Sequence, residues 1–419
     1  MPDSQSATVT CDVLVVGAGP AGIAAALEAH RAGRDVLVVD KAVFPRDKCC
    51  GDGLTTGALR VLESLDFDPS RVASWTPTTN VWLRSPSGRE MSMPLPEGRG
   101  TFAAIAPRIE FDDALVRTAI DRGVRIAQGV TFTRIVESND SGVTVEIDGI
   151  GTVHAQYVVA ADGMWSPVRK SLGLSTPGYL GEWHAFRQYA SNVTGPAKDR
   201  LIVWFDEDLL PGYAWSFPLR NGRVNIGFGI LRGGRHSVQD MNTLWPDILS
   251  RPHVRAALGD SVTLEGRHTA WPIPARVTSA TLTHDRVLFV GDAACATDTL
   301  TGEGIGQALA SGQLAGRAIA AEFANPSRVA RTYRRTMKST FFADHRMSVV
   351  LGAILRSPLG ARGALRLANA NDWTRRNFVR WMFEDEPRAA IFTPSRWHRG
   401  FLKRPGVSLG QTANGTVVS

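Results

Sequence analysis

The stretch "DVLVVGAGPAGIAAALEAHRAG", near the start of the chain, limits what it can fold into more than any other. Residues 12–16, "DVLVV", run apolar from Val13 to Val16 and read as a buried strand. The residues from Ile23 onward read as an apolar helix. Between them stand Gly17, Gly19 and Gly22. The first permits a tight turn, the second lets backbone approach a pyrophosphate, and the third lets helix and strand pack closely. A second strand, "DVLVVD", ends on Asp40, whose carboxylate can accept from ribose hydroxyls. The unit predicts a dinucleotide site with a helix N-terminus aimed at the anion.

The α/β pattern recurs later in the chain. A helix is expected over 108–122, strands over 124–138 and 142–149, and a further buried strand in "AQYVVAADG". Residues 171–280 instead hold aromatic strands and turns. "RVLFVGDAA" then returns to an apolar strand, followed by the helical "GEGIGQALASGQLAGRAIAAEFA". The expected fold class is α/β. A Rossmann-like cofactor domain (1–75, 103–170 and 281–325) is interrupted by a substrate-domain hairpin at 76–102 and by an antiparallel, β-rich substrate domain at 171–280. Residues 326–419 form a helical C-terminal region, with breakers at Pro358, Pro387, Pro394 and Pro405.

Two later motifs choose between dinucleotides. "AADGMWSPVRKSLG" carries D-G-x-x-S-x-V-R, with Asp162, Gly163, Ser166, Val168 and Arg169. "VLFVGDAACATDTLTGEGIG" carries Gly291-Asp292 and then Gly302, Glu303 and Gly304. A carboxylate after an apolar strand can hold the hydroxyls of a ribityl chain. The glycines let backbone meet a flat ring, and a helix beginning near Ile305 would aim its positive end at charge developing on that ring. With the N-terminal motif, these resemble the FAD-binding flavoproteins of the p-hydroxybenzoate hydroxylase type. The resemblance implies FAD as cofactor. It implies a binding set of Gly17, Gly19, Pro20, Ala21, Gly22, Asp40, Lys41, Lys48, Cys50, Gly51, Arg108, Val130, Asp162, Gly163, Gly291, Asp292, Gly302, Gly304 and Ile305. A helix-surface salt bridge is the alternative role for Arg108. No second G-x-G-x-x-G follows a strand, so no separate NAD(P)H domain is expected, and ferredoxin, NAD(P)H and other electron donors all remain open.

The stretch "LPGYAWSFPLRNGRVNIGFGIL" reads as a hairpin turning at Asn221-Gly222. Counting outward from a two-residue turn sets Phe217 opposite Ile226, Trp215 opposite Phe228 and Tyr213 opposite Ile230. Ser216 then meets Gly227, and Ala214 meets Gly229. This register gives one bulky apolar face and one nearly bare face. The ribbon is either ordinary core or the wall of an elongated apolar pocket.

Y-x-W-x-F-P followed by G-x-G is similar to the signature of the geranylgeranyl reductase family. Here it comprises Tyr213, Trp215, Phe217 and Pro218, then Gly227 and Gly229. A second family mark stands as "FPRDKCCGDG", residues 44–53. The resemblance covers roughly residues 10–320 and is nearest in look to actinobacterial members that reduce one double bond in the menaquinone tail. The family commonly has Pro where Thr299 stands. The implied activity is reduction of a double bond in a polyprenyl chain, with Tyr213, Trp215 and Phe217 walling the substrate. Cys50 and Tyr213 are the candidate proton donors, and Cys49 is structural. Flavin-dependent halogenases and monooxygenases acting on aromatic or other apolar molecules are the alternative. The halogenase motif W-x-W-x-I-P differs from this chain at Tyr213 and Phe217.

Charge and cysteine usage bound the setting. The four cysteines, of 419 residues, form neither a zinc spacing nor a disulfide framework, so no metal is expected. "MPDSQSATVT" is neither basic nor apolar and does not read as a signal peptide. A cytoplasmic protein is expected. "SVVLGAIL" is too short to span a bilayer. The net charge of +7 is concentrated at residues 326–404, which hold 17 Lys/Arg and 5 Asp/Glu among interleaved aromatics. This block is either a solvated helical cap or a basic amphipathic surface for anionic lipid, which would place the protein peripherally on the inner face of the cell membrane. No nucleic-acid recognition module is visible.

Overall fold

The computed structural model describes residues 8–409 apart from residue 398. The first seven residues, on which the signal-peptide expectation rests, lie outside the described residues. So do the matching ends of the segments 1–75 and 326–419.

Val9–Val16 lies in the middle of an eight-stranded sheet. Gly151–Ala160 and Val36–Asp40 flank it in parallel, and Val287–Phe289 and Arg125–Gln128 extend the parallel run outward. Val13, Leu14 and Val15 are fully buried, as befits a strand covered on both faces. Thr131–Asn139 and Gly142–Asp148 continue this sheet as an antiparallel meander.

The helix Pro20–Arg31 packs against the distant helix Ile305–Glu322 backbone to backbone. A Cβ on Gly312 would stand 2.0 Å from the Ala21 carbonyl oxygen, and one on Gly316 would stand 2.6 Å from that of Ala25. Small residues on both helices therefore set their spacing.

The second sheet has seven strands. Their order is Thr263–Ile273, Trp183–Ser191, Val224–Leu231, Tyr213–Pro218, Leu201–Trp204, Asn80–Arg84 and Glu90–Pro94. Asn80–Arg84 joins it by parallel pairing with Leu201–Trp204. One face packs Phe186, Trp204, Ile226, Phe228 and Ile230 beneath Trp245 of the helix Met241–Ser250. Phe228 and Trp245 stack with their centroids 5.8 Å apart.

The hairpin register differs by one residue from the count made on a two-residue turn. Asn221 and Gly222 do adopt the left-handed backbone such a turn needs, at φ 60° and 67°. However, the Leu219 amide donates to the Arg223 carbonyl at 2.7 Å, which leaves three residues in the loop. Pro218 consequently pairs with Val224, Phe217 with Asn225, Trp215 with Gly227 and Tyr213 with Gly229. A slip of one residue exchanges the faces. The aromatic residues share a face with the glycines, while Ile226, Phe228 and Ile230 go to the separate core.

The C-terminal helices complete the molecule. Pro326–Met337 lies along Ile305–Glu322, and its fully buried Tyr333 donates to the Phe289 carbonyl at 2.6 Å. Ala343–Leu355, Pro358–Ala368 and Asp372–Met382 follow. Pro358 starts a helix rather than breaking one, because a first-turn residue needs no amide proton.

Candidate active site

One cavity of about 950 Å³ lies between the first sheet, the open face of the second sheet and the C-terminal helices. Every residue proposed from sequence for cofactor binding or catalysis lines it, except Gly22. Gly22 serves packing: a Cβ there would sit 1.8 Å from the Gly17 carbonyl oxygen. A Cβ on Gly17, at φ +107°, would strike the Ala161 carbonyl at 2.4 Å. A Cβ on Gly19 would meet nothing nearer than Arg46 Nη2 at 3.7 Å. The three glycines thus divide turn, open approach and packing among themselves.

The carboxylate of Asp40 fixes the glycine loop. Its oxygens accept from the amides of Ala18 at 2.7 Å and Ala42 at 2.8 Å. Asp162 accepts from Ser166 Oγ and the Val168 amide, and so ties down the short helix Pro167–Ser171. Burial pushes its carboxyl up to about 6. Arg169 hydrogen-bonds the carbonyls of Ala293 and Thr281, which locks the D-G motif to the Gly291-Asp292 loop. Arg108 is no surface residue. It is buried in the cavity wall and chelates Asp112 with bonds of 2.7 and 2.6 Å, and Asp112 also pairs with Arg46 at 2.8 Å. The Lys48 ammonium stands 3.5 Å from the centre of the Trp271 ring, and burial lowers its pKa.

The donor set fits an anionic dinucleotide. Pro20–Arg31 is preceded by Gly19, which has no side chain to cap the first-turn amides, whereas in Ile305–Glu322 the Gly306 amide is taken by Glu303 Oε1 at 2.6 Å. The open approach at Gly19 and the empty space around Gly163 admit a group lying against backbone.

The aromatic strip forms the roof of the cavity. Phe205, Tyr213, Trp215 and Phe217 follow one another with ring centroids 5.9, 6.0 and 6.2 Å apart. Phe205 was not foreseen because it belongs to another segment. Trp215 lies across Gly227, where a Cβ would be 2.4 Å from its Cζ2. Gly51 and Gly53 pack against the edges of Phe217 and Trp215.

A buried polar network holds this roof, and of its members only Asp52, within the C-G-D-G mark, and Trp215 had a sequence signal. Trp215 Nε1 donates to Asn225 Oδ1 at 3.1 Å, and Asn225 Nδ2 donates to the Cys50 carbonyl and to Asp52 Oδ2. Asp52, fully buried, also accepts from the Tyr189 hydroxyl at 2.7 Å, and burial pushes its carboxyl up to about 6. The network joins the C-G-D-G loop to the hairpin, 173 residues apart in sequence.

Both foreseen proton donors hold their protons at neutral pH. Burial pushes the Cys50 thiol up to about 11. Burial, then the charges of Glu303 and Asp298, raise the Tyr213 phenol, which donates to the Thr301 carbonyl. Cys49 donates to the Thr269 carbonyl, which ties it to the sheet. Trp183 Nε1 donates to the Thr299 carbonyl at 3.1 Å and to its Oγ1 at 3.4 Å, so a proline there would keep only the backbone acceptor.

The far end of the cavity is apolar and comes from the C-terminal helices, through Leu351, Ile354, Leu355, Leu365, Phe378 and Met382. Amphipathic helices of unknown packing gave no prior sign of this role.

Comparisons with known proteins agree with this geometry. The FAD binding domain family model matches residues 10–338, so FAD is the cofactor. The chain is 35% identical over 325 residues to a menaquinone reductase of Mycolicibacterium smegmatis, covering 73% of this chain and 75% of that one. It is 32% identical to digeranylgeranylglycerophospholipid reductase 2 of Methanopyrus kandleri, covering 74% and 77%. Among solved structures, a geranylgeranyl bacteriochlorophyll reductase-like protein of Thermoplasma acidophilum superposes with a TM-score of 0.77 at 22% identity, over 93% and 100% of the two chains. A flavin-dependent brominase shares the fold with a TM-score of 0.73 at 18% identity, over 92% and 98%. The chain belongs to the geranylgeranyl reductase family of FAD-dependent oxidoreductases.

Proposed function

We propose that this enzyme saturates carbon–carbon double bonds of a polyprenyl chain, such as a menaquinone tail or a geranylgeranyl group. The observation that carries the reading is the continuous apolar surface from the Phe205–Tyr213–Trp215–Phe217 roof to Leu351, Ile354 and Leu365. A polyprenyl tail offers no polar handle, so shape and apolar contact must hold it. In this reading Gly19 and the first turn of Pro20–Arg31 hold the pyrophosphate. Asp40 holds a ribose, Asp292 the ribityl chain, and Gly302, Gly304 and Ile305 the edge of the ring system.

Reduced FAD supplies a hydride. The roof aromatics orient the alkene, exclude water and ease positive charge developing at the tertiary carbon. Cys50 and Tyr213 keep protonated groups on the same wall. The Tyr213 proton is engaged by Thr301, so Cys50 holds the freer of the two.

The long apolar lining fits a polyprenyl chain better than the smaller, more polar pocket that halogenation or hydroxylation needs. The deciding experiment reduces the bound flavin anaerobically and then adds polyprenyl lipids. Flavin reoxidation with a mass gain of two hydrogens supports the reading. Turnover that appears with oxygen alone overturns it in favour of the monooxygenase or halogenase reading.

The same surface suggests a peripheral location. Among the described residues no helix is long and apolar enough to cross a membrane. Val349, Val350, Ile354, Leu359, Leu367 and Trp373 are nevertheless exposed, beside the exposed Arg346, Arg356, Arg366 and Arg376. Ile354 is both exposed and part of the cavity lining, which supports reading this side as the way in for the substrate. We read the patch as resting on an anionic bilayer, from which the substrate enters.

A further inference from the structure

A polyprenyl tail repeats the same alkene in every isoprene unit. An apolar trough that grips the tail therefore cannot by itself choose which double bond is reduced. The choice needs a fixed distance between the trough and the loop at the edge of the ring system. These belong to different parts of the chain. Thr297 and residues 300–305 line the cavity on the cofactor side, whereas Leu351, Ile354 and Leu355 line its apolar end from the helix Ala343–Leu355.

The carboxylate of the buried Asp298 ties the two together. Its Oδ2 accepts from the amides of Leu300 at 3.2 Å and Thr301 at 2.8 Å, and from Thr301 Oγ1 at 2.6 Å. Its Oδ1 accepts from Ser348 Oγ at 2.6 Å. Ser348 is fully buried on the helix Ala343–Leu355, and among the described residues no other hydrogen bond joins that helix to residues 297–305. A second tie runs through the C-terminal segment. Arg388 stands 3.3 Å from Asp298 Oδ2, and the next residue, Ala389, donates its amide to Asp344 Oδ1 at 2.8 Å in the first turn of the same helix. The loop itself presents backbone. Its Thr301 carbonyl accepts from the Tyr213 hydroxyl, and Gly302 holds a left-handed turn at φ 68°. Gly302 and Gly304 have no side chains with which to anchor it, so hydrogen bonds must place it.

We propose that Asp298 and Ser348 are positioning residues that set which double bond of the tail meets the flavin. This rests on the polyprenyl-reductase reading. The head group of such a lipid is more polar than the apolar end of the cavity and stays at the way in, on the side marked by Ile354. Ile354 and Ser348 belong to one helix. The Ser348–Asp298 bond therefore fixes how far the entrance lies from the ring-edge loop, and that distance selects the alkene. Little error is tolerated, because a misplacement of about 1 Å near reacting groups can cost about a hundredfold.

The test uses the full-length, flavin-loaded enzyme, with fully unsaturated menaquinones of two tail lengths and a geranylgeranyl lipid as probes. The wild type should saturate one double bond, at the same position counted from the head group in both menaquinones. Ser348→Ala should keep its flavin but spread saturation over neighbouring double bonds, read by tandem mass spectrometry, and slow single-turnover reoxidation about tenfold. Ser348→Thr, which keeps the hydroxyl, should restore the single position. Without substrate, amide hydrogen exchange at Leu300 and Thr301 should quicken about tenfold in Ser348→Ala and return toward the wild-type rate in Ser348→Thr. An unchanged position in Ser348→Ala, even at a reduced rate, overturns the proposal, because a contact that serves folding alone alters yield and not position. Unchanged exchange overturns it too. Should the variants fail to fold, the wild type decides: saturation at several positions, or at one that follows the far end of the tail, overturns the proposal. If the wild type reduces none of the three lipids, the reductase reading itself fails and takes the proposal with it, whereas turnover at an unmoved position sinks the proposal alone.

Discussion

Trp215 occupies the space that any side chain at residue 227 would need. A Cβ on Gly227 would lie 2.4 Å from Cζ2 of the indole and 2.3 Å from the Phe186 carbonyl oxygen. The glycine is therefore the floor on which the central aromatic of the roof is laid.

Gly227→Ala should tip Trp215 into the cavity while the FAD end remains intact. Misplacement by about 1 Å near reacting groups can cost about a hundredfold. We expect a loss of that order in kcat/KM for a long polyprenyl substrate, with the flavin content unchanged. Equal loss of flavin and activity would show that the contact serves folding alone.

Trp215→Ala should damage polyprenyl reduction more than FAD binding. Truncating a buried aromatic costs about 3–5 kcal/mol, so thermal unfolding must be measured beside activity. A larger loss for long chains than for short ones places Trp215 along the tail. An intact rate in a folded, flavin-loaded variant rules the roof out as a substrate surface.

Gly19→Leu should yield protein without bound flavin. The backbone at this residue borders open cavity, and a branched side chain would fill the approach to the amides of Pro20–Arg31. The check is the ratio of flavin absorbance to protein absorbance after reconstitution with FAD. Normal flavin content would place the pyrophosphate elsewhere.

Binding to liposomes should require anionic lipid and weaken with salt. Each basic residue near such a surface contributes about 1 kcal/mol. Replacing Arg346, Arg356 and Arg366 by Gln should therefore lower flotation by more than tenfold while leaving the flavin in place. Binding that ignores salt and charge would identify the C-terminal helices as a solvated cap.

Stability should fall as pH rises from the ordinary carboxylate range into the neutral range. Glu303 and Glu384 have raised folded-state values, so the folded protein binds more protons than the unfolded chain across that interval. Their contribution is complete below the unfolded values and disappears as pH passes the folded ones. Melting temperature measured from pH 5 to 8.5 should decline less in Glu384→Gln than in the wild type.

The cofactor half of the site was legible because its chemistry is local. Gly17, Gly19, Gly22 and Asp40 fall within one strand–helix–strand unit, so their roles follow from spacing. The hairpin was legible in its turn residues but not in its register. Asn221 and Gly222 announce the turn, yet whether Arg220 joins the loop is decided by the Leu219–Arg223 hydrogen bond. That single residue determines which face Trp215 occupies. Asp52, Tyr189 and Asn225 could not be associated beforehand, because no period or spacing relates three polar residues drawn from three remote segments. The C-terminal wall stayed hidden for a similar reason: the apolar faces of Ala343–Leu355 and Pro358–Ala368 show that these helices pack, not against what.

The close seating of Pro20–Arg31 on Ile305–Glu322 also bears on how the chain is made. Gly312 and Gly316 meet Ala21 and Ala25, so the first helix finds its partner only when nearly three quarters of the protein has been synthesised. Until then the opening βαβ unit leaves the ribosome with an alanine-rich face bare. Contacts so remote in sequence are slow to form and leave intermediates prone to aggregation. FAD lying between the opening glycine loop and the Gly302–Ile305 segment would hold these two remote pieces together, so FAD present during refolding should raise the yield of folded enzyme.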